Sequence, residues 1–445
     1  MRPHLGLSLA LVSLFIPSAA TAEEGLFDRI DTSAILDFEA GFELRGDDDL
    51  QKFQGTLTPE FEADLGDGWG LTGRVRLRTD PADNLEPGRP NQDNRAPFSR
   101  RIFIGDHSEA ELRELYAERF IGQTFVRLGK QQIVWGQADG LKVLDVVNPQ
   151  SFREFVLADF DESRIPLWSA TAELPVGPGV LQLLWIPDNT FHDIPEPGAT
   201  FAFTAPQVVG PLSAPGLPPR PPAAPITVDR PNNLITDSDV GAAYEVFVGG
   251  WDVSFNYLFQ HRNAPVDRRR IAPDGSIEIA RGYERAHVLG GSVANAFGDV
   301  TLRGEVVGVL DDFAATRTGD GVAEAPTLDY VVGLDWRGLP DTLVSGQFFQ
   351  NVFFDSSDAL IRDRVQNNAS LLVSRDFLGR RLQLETLWVQ SLDSGDGFVS
   401  PEARFQLTSN IWLRAGGDFF YGSSNGLFGQ FNEADRFTVG FQISL

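Results

Sequence analysis

From Gln51 to Leu65 the odd positions are Phe53, Gly55, Leu57, Pro59, Phe61, Ala63 and Leu65, while the even positions are Lys52, Gln54, Thr56, Thr58, Glu60, Glu62 and Asp64. Successive side chains of a strand point to opposite faces, so this run predicts a strand with one oily and one ionic face. Gly66-Asp67-Gly68 then predicts a tight turn, and beyond it Trp69, Leu71, Gly73, Val75 and Leu77 alternate with Thr72, Arg74, Arg76 and Arg78. Two such runs across a Gly-rich turn read as an antiparallel hairpin. The same alternation recurs at Ala34–Arg45, where Leu36, Phe38, Ala40 and Phe42 oppose Asp37, Glu39 and Glu43. It returns at Trp251–Gln260, Leu328–Arg337 and Arg381–Trp388, and it slips near 110–119, 178–187 and 283–297.

A soluble sandwich also alternates, but two features favour a closed membrane barrel. Strands here run about 10–12 residues, the length that crosses a bilayer at a tilt, whereas soluble strands average about 5–6. The connections also alternate in length. Short ones fall near 66–68, 120–123, 175–178, 249–250, 297–299, 338–341, 378–380 and 408–409. Longer ones fall near 46–50, 80–109, 136–163, 187–238, 261–282, 312–325, 354–365, 393–398 and 421–434. Short periplasmic turns and long external loops are how outer-membrane barrels are built. The fold class is therefore all-β, a transmembrane antiparallel β-barrel of 18 strands, with 16 as the alternative count. Trp69 and Trp251 beside short turns, and Trp135, Trp185 and Tyr421 at loop-proximal ends, fit aromatic girdles. Phe437, Val439, Phe441 and Ile443 form a final strand typical of such proteins, except that Leu445 stands where an aromatic is usual.

The first residues change the compartment. Arg2, the apolar run Leu5–Pro17 and Ala20-Thr21-Ala22 predict a signal peptide over 1–22, leaving 23–445 as the barrel. This places the mature chain in the outer membrane of a Gram-negative bacterium. About ten residues separate the predicted cleavage site from the first strand, too few for an N-terminal plug or hatch.

Chemistry is sparse. Cysteine is absent, which removes thiolate catalysis and zinc–thiolate sites. His107, His192, His261 and His287 lack metal spacing, and Ser108 and Ser292 are near histidines only in sequence, so neither catalysis, a metal nor a cofactor is expected. The formal charge of −25 disfavours nucleic acid as a partner. Lys52, Lys130 and Lys142 are the only lysines among 37 basic residues, so arginine dominates.

The lumen and two loops carry what signal there is. Arg74, Arg76 and Arg78 should point inward, with Glu60, Glu62 and Asp64 directly alongside and Arg127 nearby. The bland reading is a cross-strand ionic ladder, which is favoured because the carboxylates neutralise the arginines. The functional reading is a track for anionic solutes. In the loop about 136–163, Phe152, Phe155, Val156 and Phe160 are spaced for a short amphipathic helix capped near Asn148. This loop is expected to fold into the barrel as a constriction formed by Asp139, Asp145, Asn148, Phe152, Arg153 and Phe155, with Asp139 and Asp145 meeting Arg74, Arg76 and Arg127. The loop about 187–238 holds 12 of the 28 prolines, yet also Phe191, Phe201, Phe203 and Val208-Val209, so part of it should pack into the mouth or against a partner.

The stretch Gly129-Lys130-Gln131-Gln132-Ile133-Val134-Trp135-Gly136-Gln137-Ala138-Asp139-Gly140, with Asn148-Pro149 and Arg153-Glu154-Phe155, resembles the signature of a proteobacterial outer-membrane family known as domain of unknown function 1302. The resemblance implies handling of hydrophobic or lipid-like molecules, with a periplasmic companion protein and an inner-membrane exporter as partners. It carries no agreed catalytic residues. The barrel itself implies contact with outer-membrane lipid, lipopolysaccharide and the barrel-assembly machinery. The resulting expectation is a channel for small or lipid-like solutes. The alternatives are a specific porin for carboxylate solutes and a structural or adhesive barrel.

Overall fold

A computed structural model describes residues 29–45, 50–136, 138, 141–209, 226–271, 273, 276–317, 320–354 and 359–445. The predicted signal peptide lies outside the described residues. Eighteen long strands follow one another around a closed wall. They are β1 (Ile30–Glu43), β2 (Lys52–Gly66), β3 (Trp69–Thr79), β4 (Ser108–Ile121), β5 (Thr124–Gln131), β6 (Leu167–Val176), β7 (Gly179–Ile186), β8 (Asp239–Val248) and β9 (Trp251–His261). The circuit continues through β10 (Arg285–Phe297), β11 (Val300–Leu310), β12 (Thr327–Trp336), β13 (Thr342–Phe353), β14 (Val365–Phe377), β15 (Leu382–Ser391), β16 (Gly397–Thr408), β17 (Ile411–Tyr421) and β18 (Arg436–Ser444).

Each strand pairs antiparallel with the next, and β18 returns to β1 through Leu36↔Ile443, Phe38↔Phe441 and Phe42↔Phe437. Closure leaves no strand edge unpaired in lipid, the condition any spanning sheet must meet. Phe38 stacks on Phe441 at 5.5 Å across this seam, so the first and last strands are joined by side chains as well as by backbone. Ile30, at the start of β1, and Leu445, after β18, both lie on the side of the short turns. Among the described residues, no helix is long and apolar enough to cross a membrane.

The slips in alternation have two separate causes. In β4, Arg74 pairs with Glu114 but Val75 pairs with Leu112, so Arg113 is an extra residue. Such a bulge inverts the side-chain parity beyond it. Leu112 and Leu115 thus share the outer face, although only two residues lie between them and a regular strand would put them on opposite faces. In β7 and β10 the register is unbroken. There the inward positions Leu184, Ile186, Ala286 and Val288 are apolar because something inside the barrel covers them.

Several loop segments pair outside the wall. Ile102–Ile104 adds to the upper part of β4 above the end of the short strand β5. Val266–Ile271 and Ile277–Gly282 form a hairpin joined by Ile226–Val228 from the Pro-rich loop. Residues 210–225, which include Pro218-Pro219 and Pro221-Pro222, lie outside the described residues. Trp135 departs from the expected girdle. It is buried inside, with its indole N–H donating to Gln182 Oε1 at 2.9 Å.

Candidate functional site

The element covering the inner wall is the connection from β5 to β6, residues 132–166. Near its start, Ile133, Trp135, Leu144 and Val147 pack on Leu184, Ile186, Ala243, Leu258, Ala286, Val288, Val307 and Val309, inward positions of β7 to β11. Further along, Phe155, with Leu141, Val156 and Leu157, packs on Val389, Phe398 and Phe420 of β15 to β17 and on Phe428 and Phe431 of the last loop. Strands β7–β11 and β15–β17 lie on different sides of an 18-strand circuit, so the segment crosses the lumen between two walls. Phe191 and Phe201 of the Pro-rich loop are also buried, and Phe203 packs beside Phe155 at 6.0 Å.

The signature residues form the spine of this segment. Gly129 sits at φ +139, where a Cβ would lie 2.2 Å from the Leu115 carbonyl oxygen. Only glycine fits there. After this kink Lys130 is buried, although simple alternation from exposed Leu128 would face it to lipid. A Cβ on Gly136 would stand 2.9 Å from the Asp145 amide nitrogen, so the chain folds back tightly on itself. Asn148 accepts from the Ile133 amide at 2.7 Å and donates to the Ile165 carbonyl at 2.8 Å, tying both ends of the segment together.

Charged contacts complete the attachment. Arg153 reaches Asp80 at 2.7 Å, Gln54 at 2.7 Å and Glu86 at 3.1 Å. Glu154 lies 2.8 Å from both Lys52 of β2 and Arg436 of β18. Burial disfavours the Glu154 charge, but Lys52, Arg436 and Arg153 outweigh it and hold the carboxyl well below its ordinary pKa. A second buried network ties loops to the β3–β4 wall. Arg95 bridges Glu111 at 2.6 Å and Asp193, while Arg101 bridges Glu86 at 3.0 Å and Glu109 at 2.9 Å.

The structure distributes the expected site residues differently from the sequence reading. Glu60 lies beside Arg74 at 2.9 Å, but Glu62 faces Thr72 and Asp64 faces Gly70. Antiparallel register puts residues near the turn opposite one another, so Arg78, far from the turn, opposes Thr56. Arg76 and Arg78 find their carboxylates on β4 instead, Glu111 at 2.5 Å and Glu109 at 2.8 Å. Arg127 pairs with Glu118 at 2.7 Å and lies 4.4 Å from the Tyr116 ring centre. Asp145 does not meet Arg74, Arg76 or Arg127. It pairs within its own segment with Arg164 at 2.7 Å and Lys142 at 3.6 Å, since the fold-back at Gly136 keeps it on the near wall. Asp139 lies outside the described residues.

No helix forms at Asn148–Val156. Gln150 and Ser151 make isolated strand bridges to Arg164 and Asp193, Phe155 adopts φ +54, and the helical turn is confined to Phe160–Ser163. Phe152 packs edge-on against His192 at 5.2 Å and Phe203 at 5.8 Å. Residues overlooked in the sequence include Lys52, Arg95, Glu111, Asp193 and Arg436. Their partners lie on other strands or loops, and the one local cue was the slip that marks the Arg113 bulge. Among the described residues, no three histidine or carboxylate side chains are grouped to hold a metal.

Comparison with known proteins sets this arrangement in context. The family model described as "Protein of unknown function (DUF1302)" matches residues 42–406. No curated protein matches. Among solved structures, Pseudomonas aeruginosa OccK2 (OpdF), solved with glucuronate, is similar at TM-score 0.51 and 11% identity, covering 95% of this chain and 99% of that one. Pseudomonas aeruginosa OccK5 (OpdH) is similar at TM-score 0.50 and 11% identity with the same coverage. Acinetobacter baumannii OccAB4 is similar at 0.50 and 8% identity, covering 94% and 98%. At such identities the likeness is one of fold.

Proposed function

The chain belongs to the DUF1302 family, and on that premise we propose that it is a constricted outer-membrane channel for small solutes. One observation carries this reading. Residues 132–166 cross the barrel interior and are fixed to both walls, through Leu144 at one side and through Phe155 and Glu154 at the other. A structural barrel has no need of an inner crosspiece, whereas a channel uses one to set the width and charge of its narrowest point. The apolar side chains of the two interior clusters are occupied in packing this segment, which favours small polar solutes over lipid-like ones. Coupling to a periplasmic companion and an inner-membrane exporter, which the family resemblance implies, belongs to the same proposal. Insertion by the barrel-assembly machinery and contact with lipopolysaccharide follow from the barrel reading.

A carboxylate-selective porin is the second reading, suggested by the glucuronate bound to OccK2. Against it, Arg74, Arg76, Arg78 and Arg127 each already hold a carboxylate. Planar-bilayer recording of the purified full-length protein tests the channel. Discrete conductance steps are expected, and their absence from correctly folded, inserted protein overturns it.

A further inference from the structure

Two ion pairs of the inner segment are polarised. At the segment's turn, Arg164 and Asp161 are 2.7 Å apart, but the arginine side chain is 6% exposed and the aspartate 83%. Arg76 and Glu162, 3.1 Å apart, show 8% and 56%. Asp159 beside them is exposed as well. In each pair the cation is buried in the attachment and the anion faces the water inside the barrel. A salt bridge drawn as neutral is therefore not neutral to a passing solute, because field lines enter the lumen from the exposed partner.

The wall below repeats this bias through different residues. Inward positions near the short turns carry Glu62 and Asp64 on β2, Glu173 on β6, Glu245 on β8 and Asp252 on β9. None of the five forms an ion pair with a described basic side chain. The inward arginines are matched or outnumbered. Arg74 lies between Glu60 and Glu114, and Arg414 between Asp37 and Glu39. These carboxylates lie on β1 to β9, along one half of the circumference, so they form a band rather than one binding site.

We infer that the pore selects cations, admitting small cationic solutes such as organic amines in preference to carboxylates. Asp161 and Glu162 act at the narrow part, and the band of Glu62, Asp64, Glu173, Glu245 and Asp252 acts at the periplasmic mouth. The inference rests on the channel reading and names its solute class. Rings of Asp and Glu side chains are the general means by which pores favour cations. Because these charges face water, their effect is screened and falls as ionic strength rises.

The test is the reversal potential of the full-length protein in planar bilayers across a KCl gradient at low salt. The expected result is potassium permeability several-fold above chloride, falling toward equality in Asp161→Asn/Glu162→Gln. A further fall is expected in a five-site amide variant of the mouth band. The two tip side chains are exposed and make few contacts, so the double variant decides the matter even where the five-site variant does not assemble. Equal or chloride-favouring permeability in the wild type overturns the inference while leaving the channel intact. So does selectivity unchanged in the double variant. No conductance at all from folded protein overturns the channel reading itself.

Discussion

The Asn148 side chain accepts a 2.7 Å hydrogen bond from the Ile133 amide and so closes a loop 15 residues long inside the barrel. Both groups are buried, and the same side chain also serves the Ile165 carbonyl. Asn148→Ala leaves a backbone donor and a backbone acceptor without partners, each costing about 1–3 kcal/mol. Asn148→Asp keeps the acceptor for Ile133 but sets a second, charged oxygen against the Ile165 carbonyl in a buried site. Thermal unfolding followed by heat-modifiable migration should therefore place both variants below the wild type. Equal midpoints for Asn148→Ala and the wild type would show that this tie does not hold the segment.

Glu154 joins the segment to β2 and β18 at once, across the seam where the chain closes on itself. Replacing it by glutamine keeps the shape but leaves Lys52 and Arg436 facing each other in a buried site. Removing one member of such a group costs about 3–5 kcal/mol, because the remaining charges stay buried without compensation. Lys52 retains Glu39 at 2.7 Å and Arg436 retains Asp418 at 2.6 Å, so the lower end of that range is expected. Denaturant unfolding of Glu154→Gln measures it, and adding Lys52→Met should recover part of the loss.

The outer half of this architecture is readable from sequence because one face of every strand meets lipid. Phe255 is 63% exposed while its neighbours Ser254 and Asn256 are buried inward, as the run Trp251–Gln260 implies. The inner half is less legible. Leu184 and Val288 break the alternation only because Leu144, distant in sequence, rests on the same wall. Likewise, Arg76 prefers Glu111 to its hairpin neighbours because β4, 28 residues beyond β3, brings the acid into register. Asn148 reads as a helix cap in isolation. Its actual partners at Ile133 and Ile165 become visible only when the chain is folded back.

The lipid face gives a direct test of that outer register. Phe255→Arg places a charge toward the bilayer and should destabilise the barrel by about 2–4 kcal/mol if it sits near mid-membrane, whereas Phe255→Leu should be nearly neutral. Unfolding of the lipid-inserted protein reads both. Equal effects would remove the assignment of this face to lipid.

His192 supplies the pH dependence. Burial, reinforced by Arg262, lowers its pKa to about 3, and its Nδ1 accepts from the Gln150 amide at 2.8 Å, so the folded protein holds it neutral. Unfolded histidine binds a proton near pH 6.5. Its contribution is therefore present above that value and is lost progressively as pH falls toward 3, amounting to about 2 kcal/mol at pH 5. The depressed carboxyls Glu154 and Asp193 work in the same sense but only below their ordinary pKa near 4. Between pH 6.5 and 5 the loss of stability should therefore be histidine-dependent. It should be largely absent in His192→Gln, measured as the shift of the unfolding midpoint with pH.

The crosspiece itself is tested by removal. Replacing residues 139–158 with a short Gly-Ser linker keeps Ile133 and Trp135 at one end and Arg164 and Ile165 at the other. It deletes Leu144, Arg153, Glu154 and Phe155, the contacts that reach both walls. Two consequences follow from the same loss. The apolar patch of Leu184, Leu258, Val288 and Val307 becomes exposed to water, so the variant should be less stable than the wild type. The lumen loses its obstruction, so single-channel conductance should rise severalfold in barrels that still assemble. Stability alone cannot separate a constriction from a brace, because both would weaken the barrel when removed, but conductance does. If the assembled variant conducts like the wild type, the segment braces the wall without narrowing the path. The narrowing would then fall to the buried part of the Pro-rich loop around Phe191 and Phe201, where the corresponding deletion would be made next.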